Sequence, residues 1–159
     1  MTEPCNARPR ADETSIDTLN LDPFEFGFLS AARYFMVAFT GDQSAWINTV
    51  LNADAFFPGP RSAETMREAL RVIQHMRAAR RSCFRFSNPR CPCCAAIVTA
   101  DERHLIQMVQ HTRATRTSLA ASSAMLLCEG HDVTDLLRQA GHFTTFASGA
   151  AYPARAPLH

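Results

Sequence analysis

Four of the chain's six cysteines fall within twelve residues, in the stretch CFRFSNPRCPCC at 83–94. Cys91 and Cys94 form a C-x-x-C pair, in which a tight turn aims two sulfurs at one ion and Pro92 stiffens the turn. A tetrahedral ion needs two further ligands. CEGH, residues 128–131, supplies Cys128 and His131 at the same spacing. Together Cys91, Cys94, Cys128 and His131 have the ligand types of a Cys3His zinc site. The 33 residues between Cys94 and Cys128 must then contain a helical hairpin that brings the second pair back to the first.

Other donors compete for the same positions. Cys83 and Cys93 close an all-cysteine set within the loop, although adjacent cysteines fit one ion poorly. His142 is an alternate for His131. Four thiols also suit an iron–sulfur cluster. A redox couple at Cys91 and Cys94 is a further option, but the βαβ setting that usually supports one is not predicted here. Cys5 is read as incidental. Against all of these stands plain core packing, because cysteine is among the most buried residue types. Clustering in a polar loop argues against that reading.

The same loop is basic. Arg77, Arg80, Arg81, Arg85 and Arg90 are interleaved with Phe84 and Phe86, a mixture that suits phosphate contact and base stacking. The alternative is a solvated helix end, since cations near a helix C-terminus are favoured by its dipole. An acidic N-terminal segment folding over the patch, or an acidic protein partner, would also use it. Residues 1–30 carry a net −4 and residues 61–90 a net +6, whereas the whole chain is only +1. Whole-chain charge is therefore no argument for nucleic acid or membrane. Every basic residue is arginine, so all the cations are planar, permanently charged donors.

Catalytic motifs are absent. There is no G-x-S-x-G, no H-E-x-x-H and no phosphate-binding glycine loop. A catalytic zinc needs a general base beside it, and Asp101 with Glu102 reads better as helix capping.

The elements that must position these residues are helical. Asp22, Pro23 and Glu25 make a helix start with a capping box, and the aromatic-rich run to Phe39 reads as the central helix, closed by Gly41. This run contains Glu25 and Arg33 and is too short to cross a bilayer, which takes about 20 mostly apolar residues. A second helix over 42–52 is expected to bury Trp46, Ile47, Val50 and Leu51. Pro58-Gly59-Pro60 forces a loop, and Ser62 is expected to cap a long helix with a stripe of Met66, Ala69, Leu70, Ile73 and Met76. Thr99 and Glu102 make a second capping box. The helix it opens breaks near 112–115, and its partner runs to Cys128. A last short helix is opened by Asp132 and ended by Gly141.

The sequence thus predicts an all-α fold, a small bundle of about five helices with one irregular Cys-rich loop. A single domain at 21–143 lies between an acidic flexible tail at 1–20 and a flexible tail at 144–159. With no basic-then-apolar leader pattern at the N-terminus, a cytoplasmic protein is expected, in which thiols stay reduced. The functional expectation is a zinc-binding regulatory or interaction module with its contact surface at 77–90, a protein partner first, nucleic acid second and no membrane. The alternative is an iron–sulfur or thiol-based redox or metal sensor.

Overall fold

The computed structural model describes residues 9–147. The fold is all-α, as the periodicity requires, with eight helices and a two-stranded sheet among the described residues. Strand β1 is Thr14–Ser15, followed by a 3-10 turn at Ile16–Leu19. The helices are α1 (Pro23–Phe39), α2 (Gln43–Leu51), α3 (Ala53–Phe56), α4 (Ser62–Ala79), α5 (Pro92–Ala95), α6 (Ala100–Arg113), α7 (Thr117–Leu127) and α8 (Thr134–Ala147). Strand β2 is Ile97–Val98, between α5 and α6. The count exceeds the expected five partly because α3 and α5 are single turns of four residues.

Both capping boxes form. Asp22 accepts from the Glu25 N–H at 2.8 Å while Glu25 accepts from the Asp22 N–H at 3.2 Å. Thr99 and Glu102 exchange the equivalent bonds at the start of α6. The long α4 differs: its N-cap is Arg61, Ser62 is already helical, and no side chain caps it.

Helix α1 is central, packing against α2, α3, α4 and α6. Its Phe24 and Phe28 join Phe57 and Phe143 in one aromatic cluster, with Phe143 centred 4.8 Å from both α1 rings. Gly27 lets α3 approach: a Cβ there would lie 2.0 Å from the Phe56 carbonyl oxygen. Hairpin α6–α7 and the α4–α8 pair complete the bundle.

Two boundaries and one buried face differ from expectation. The part of the N-terminal tail that is described is docked, not loose. Thr14 and Ser15 pair antiparallel with Val98 and Ile97, and Ile16 is buried in the core. Residues 1–8 and 148–159 lie outside the described residues. The last helix runs through Gly141 to Ala147, because Phe143, Thr144 and Ala147 beyond the glycine are buried. That packing outweighs the ~1 kcal/mol cost of a helical glycine. Finally, α2 buries Ala45 and Thr49 and leaves Trp46, Ile47, Val50 and Leu51 exposed, the reverse of the predicted face.

Candidate metal-binding loop

The loop from Arg80 to Val98 is anchored to the main core by Val98, Phe84 and Phe86 and is otherwise tied down by hydrogen bonds. Arg33 of α1 is the main clamp. Its Nε donates to Glu102 Oε1 at 2.7 Å and its Nη2 to Oε2 at 3.1 Å, and the same guanidinium donates to the carbonyls of Ala95 and Ile97 at 2.7 and 2.6 Å. Glu102 also accepts from the Ser87 and Thr99 N–H groups. The pair is almost fully buried, with side-chain exposures of 4% and 1%.

A second clamp holds the loop's start. Arg80 donates to Asp101 at 2.8 Å and to the carbonyls of Leu127, Ser82 and Cys83. Asp101 accepts from the Arg85 N–H, and Thr99 donates to the Arg85 carbonyl. Glu129, just past α7, takes the Arg81 and Ser82 N–H groups. The Ser82 hydroxyl and these two N–H groups hold its carboxyl down at about 2.

These clamps use most of the basic segment. Arg80 is an internal bridge, Arg85 pairs with Asp12, and Arg90 pairs with Asp42 at the start of α2. Arg77 lies 3.7 Å over the Phe39 ring and also donates to Gln74. Arg81 is exposed. The Asp12 contact shows the acidic N-terminal segment folding back onto the patch. Arg80, Arg85 and Arg90 thus pair with carboxylates of the same chain, while Arg85 and Arg90 stay about half exposed.

The cysteines separate into two groups. Cys91 is the N-cap of α5, Pro92 its first residue, and Cys94 its third. In the Asp22–Glu25 and Thr99–Glu102 boxes the N-cap and third-residue side chains each reach back to the other residue's backbone N–H, so the C-x-x-C spacing places its two cysteines at the two ends of one such turn. Cys91 and Cys94 are half-buried, Cys93 and Cys83 exposed. Cys94 lines an open cleft of about 520 Å³ with Phe84, Phe86 and Ile97, to which Arg10 and Glu13 of the N-terminal segment also contribute.

Cys128 lies elsewhere in character. It is fully buried at the end of α7 and belongs to the main core. Burial pushes its thiol up to about 11, only partly opposed by Arg80. His131 Nδ1 is 2.8 Å from the Cys128 carbonyl. A tautomer that donates there keeps Nε2 as an acceptor, the arrangement that orients metal-bound histidines. His142 is exposed on α8. Among the described residues, no group of three or more His, Cys, Asp or Glu side chains is gathered to hold an ion. The helical hairpin required between the two pairs is present, but its last residue turns Cys128 inward.

The buried thiol has a pH signature. Its folded pKa lies above the ordinary 9.0, so its contribution to stability is present below about pH 9 and is lost as pH rises toward 11. In folded protein at mildly alkaline pH, peptide mapping after alkylation is expected to find Cys83 and Cys93 modified and Cys128 protected. Modification of Cys128 at the rate of Cys83 would contradict the packing described.

Sequence reasoning missed the Arg33–Glu102 clamp. Its signal was available: one arginine inside a helix apolar on nearly every side needs a buried anion. Comparison with protein-family models, curated proteins and solved structures finds no match for this chain. No described helix is long and apolar enough to cross a membrane.

Proposed function

We propose that this chain is a small binding module whose cysteine turn takes a thiophilic metal ion, zinc foremost, and that it acts through regulation or interaction and not catalysis. The observation that carries the metal is the α5 turn: Cys91 and Cys94 occupy its N-cap and third positions, and none of its residues is buried in the core. A turn without apolar anchoring gains order from an ion shared by its two thiols. Thiolate donors suit zinc or an iron–sulfur cluster over hard cations. The other two ligands come from Cys83 and Cys93 in the same loop or from Cys128 and His131 at the hairpin's end. Support for binding over catalysis comes from the buried and part-buried carboxylates. Glu25, Glu68, Asp101 and Glu102 each pair with an arginine, and Glu25, Glu68 and Glu102 accept further hydrogen bonds from Gln110, Gln139, Ser87 and Thr99.

Elemental mass spectrometry on reduced protein purified without a His-tag is the test. The expected result is about one zinc per chain, lost in Cys91→Ser and in Cys94→Ser. Retention in Cys128→Ser places the ion within the loop, and loss places it at the hairpin. Iron in its place would select the alternative of a redox or metal sensor. Folded, reduced protein without bound metal would refute the proposal.

A further inference from the structure

The cleft beside the cysteine turn carries both signs of charge next to a thiol. Its volume, about 520 Å³, falls in the range of small-molecule sites. Phe84 and Phe86 supply apolar wall, and the cations are Arg10 and Arg85. Arg85 is about half exposed and donates from Nη2 to Asp12 at 2.5 Å. Its other guanidinium N–H groups have no acceptor among the described residues. Arg10 is exposed, and its side chain makes no ion pair among the described residues. Glu13 brings a carboxylate, one oxygen of which accepts the Arg10 backbone N–H at 2.8 Å. Of the described cysteines, only Cys94 lines the cleft.

We infer that this cleft is a thiolation site, at which Cys94 takes up one half of a small zwitterionic disulfide of the peptide-thiol class. The charges name the class. The lining holds two guanidiniums and one carboxylate. A peptide thiol such as glutathione holds two carboxylates and one ammonium, so the two sets match group for group. A simple anion leaves Glu13 unmatched, and a simple cation leaves both arginines unmatched. The thiol in the same lining sets the reacting sulfur beside the groups that recognise the reagent. The inference goes beyond the metal reading, because it needs the cleft and not an ion.

The step is thiol–disulfide exchange. The Cys94 thiolate attacks one sulfur of the incoming disulfide. A bond forms from Cys94 Sγ to that sulfur, the original S–S bond breaks, and its electron pair leaves on the second sulfur. The second sulfur takes up the proton that Cys94 released. Cys94 is thereby oxidised to a mixed disulfide and half of the reagent is reduced to free thiol. The cleft is open, so contact alone holds such a molecule weakly and the covalent bond retains it. Where Cys94 also binds an ion, the mixed disulfide removes that ligand.

The test treats the reduced full chain with glutathione disulfide and, in parallel, with neutral hydroxyethyl disulfide. The chain carries Cys91→Ser, so that this neighbour cannot displace the product from Cys94. Serine is a favoured helix N-cap, so the α5 turn is kept. Acid quenching and tandem mass spectrometry assign the modified cysteine over time. With glutathione disulfide, Cys94 is expected to react faster than Cys83 and Cys93, although both of those are more exposed. With hydroxyethyl disulfide the order is expected to reverse, because only access then counts. Arg10→Gln and Arg85→Gln should each slow the Cys94 reaction with glutathione disulfide about threefold, the scale of an exposed ion pair. Neither should change its rate with hydroxyethyl disulfide. A Cys94 that is slower than Cys83 and Cys93 with both reagents overturns the inference. A Cys94 preference that survives both arginine substitutions also overturns it, since the cleft then does not recognise the reagent. Metal content is measured on the wild-type chain, so the metal reading and this one fail separately.

Discussion

Replacing Arg33 by leucine is expected to cost ~3–5 kcal/mol of stability, the range for breaking a buried ion pair by removing one partner. Leucine has comparable bulk, so the cost comes from what is stranded. The Glu102 carboxylate would keep only the Ser87 and Thr99 N–H groups and Glu102 itself is fully buried. The Ala95 and Ile97 carbonyls would lose their donor as well. Both flank the join between α5 and β2, so the damage should spread to the cysteine turn and to the β1–β2 pairing. Urea unfolding followed by circular dichroism measures the total, and hydrogen exchange locates it, with protection lost first at 14–15 and 97–98. The double variant Arg33→Leu/Glu102→Leu should recover part of the loss, because no unpaired charge remains. A single-variant cost below ~1 kcal/mol, typical of exposed pairs, would show that water reaches the pair.

That clamp also marks what the sequence could and could not convey. Features encoded within one turn were legible. Asp22 with Glu25 and Thr99 with Glu102 announce helix starts because the groups that bond are three residues apart. The C-P-C-C turn was legible for the same reason. Glu102 does more than its local pattern says: its partner Arg33 is 69 residues away, and no spacing rule links them. The partners of the basic segment were hidden for a related reason. Arg85 and Arg90 look like free cations beside one another in sequence, yet their counter-ions are Asp12 and Asp42.

Helix α2 shows a different limit. Its apolar residues fall on one face at helical spacing, and periodicity correctly marks that face. Periodicity does not say what covers it. The opposite side, Ala45 and Thr49, is small enough to sit close on α1, and α1 is where the chain puts it. Cys128 is a similar case for the site. Its spacing to His131 was legible, and so was the hairpin before it. The rotation of α7, fixed by burial of Ala120, Ser123, Ala124 and Leu127, decides that the thiol faces the core.

Phe143→Ala is expected to be the most damaging single truncation, at ~3–5 kcal/mol for loss of a fully buried phenylalanine. The ring is the hub of the aromatic cluster. It lies 4.8 Å from Phe24 and from Phe28 and 5.9 Å from Phe57, so it joins α1 to the segment after α3 and to α8. Three rings would border the cavity left behind. Rings in fixed helices relax poorly, which places the cost toward the upper end of the range. The position also explains why α8 ignores Gly141. The helix has to continue past the glycine to deliver this ring, and the Glu68–Gln139 bond at 2.8 Å holds the preceding turn against α4. The variant should therefore lose more than stability at one point: hydrogen-exchange protection should fall in α8 from Gly141 onward, while the α6–α7 hairpin keeps its own. Phe143→Leu, which retains much of the volume, should recover roughly half of the loss. A cost for Phe143→Ala below ~1.5 kcal/mol, with α8 still protected, would mean that α8 is held by Leu136, Gln139 and Ala140 alone and that the aromatic cluster is not its anchor.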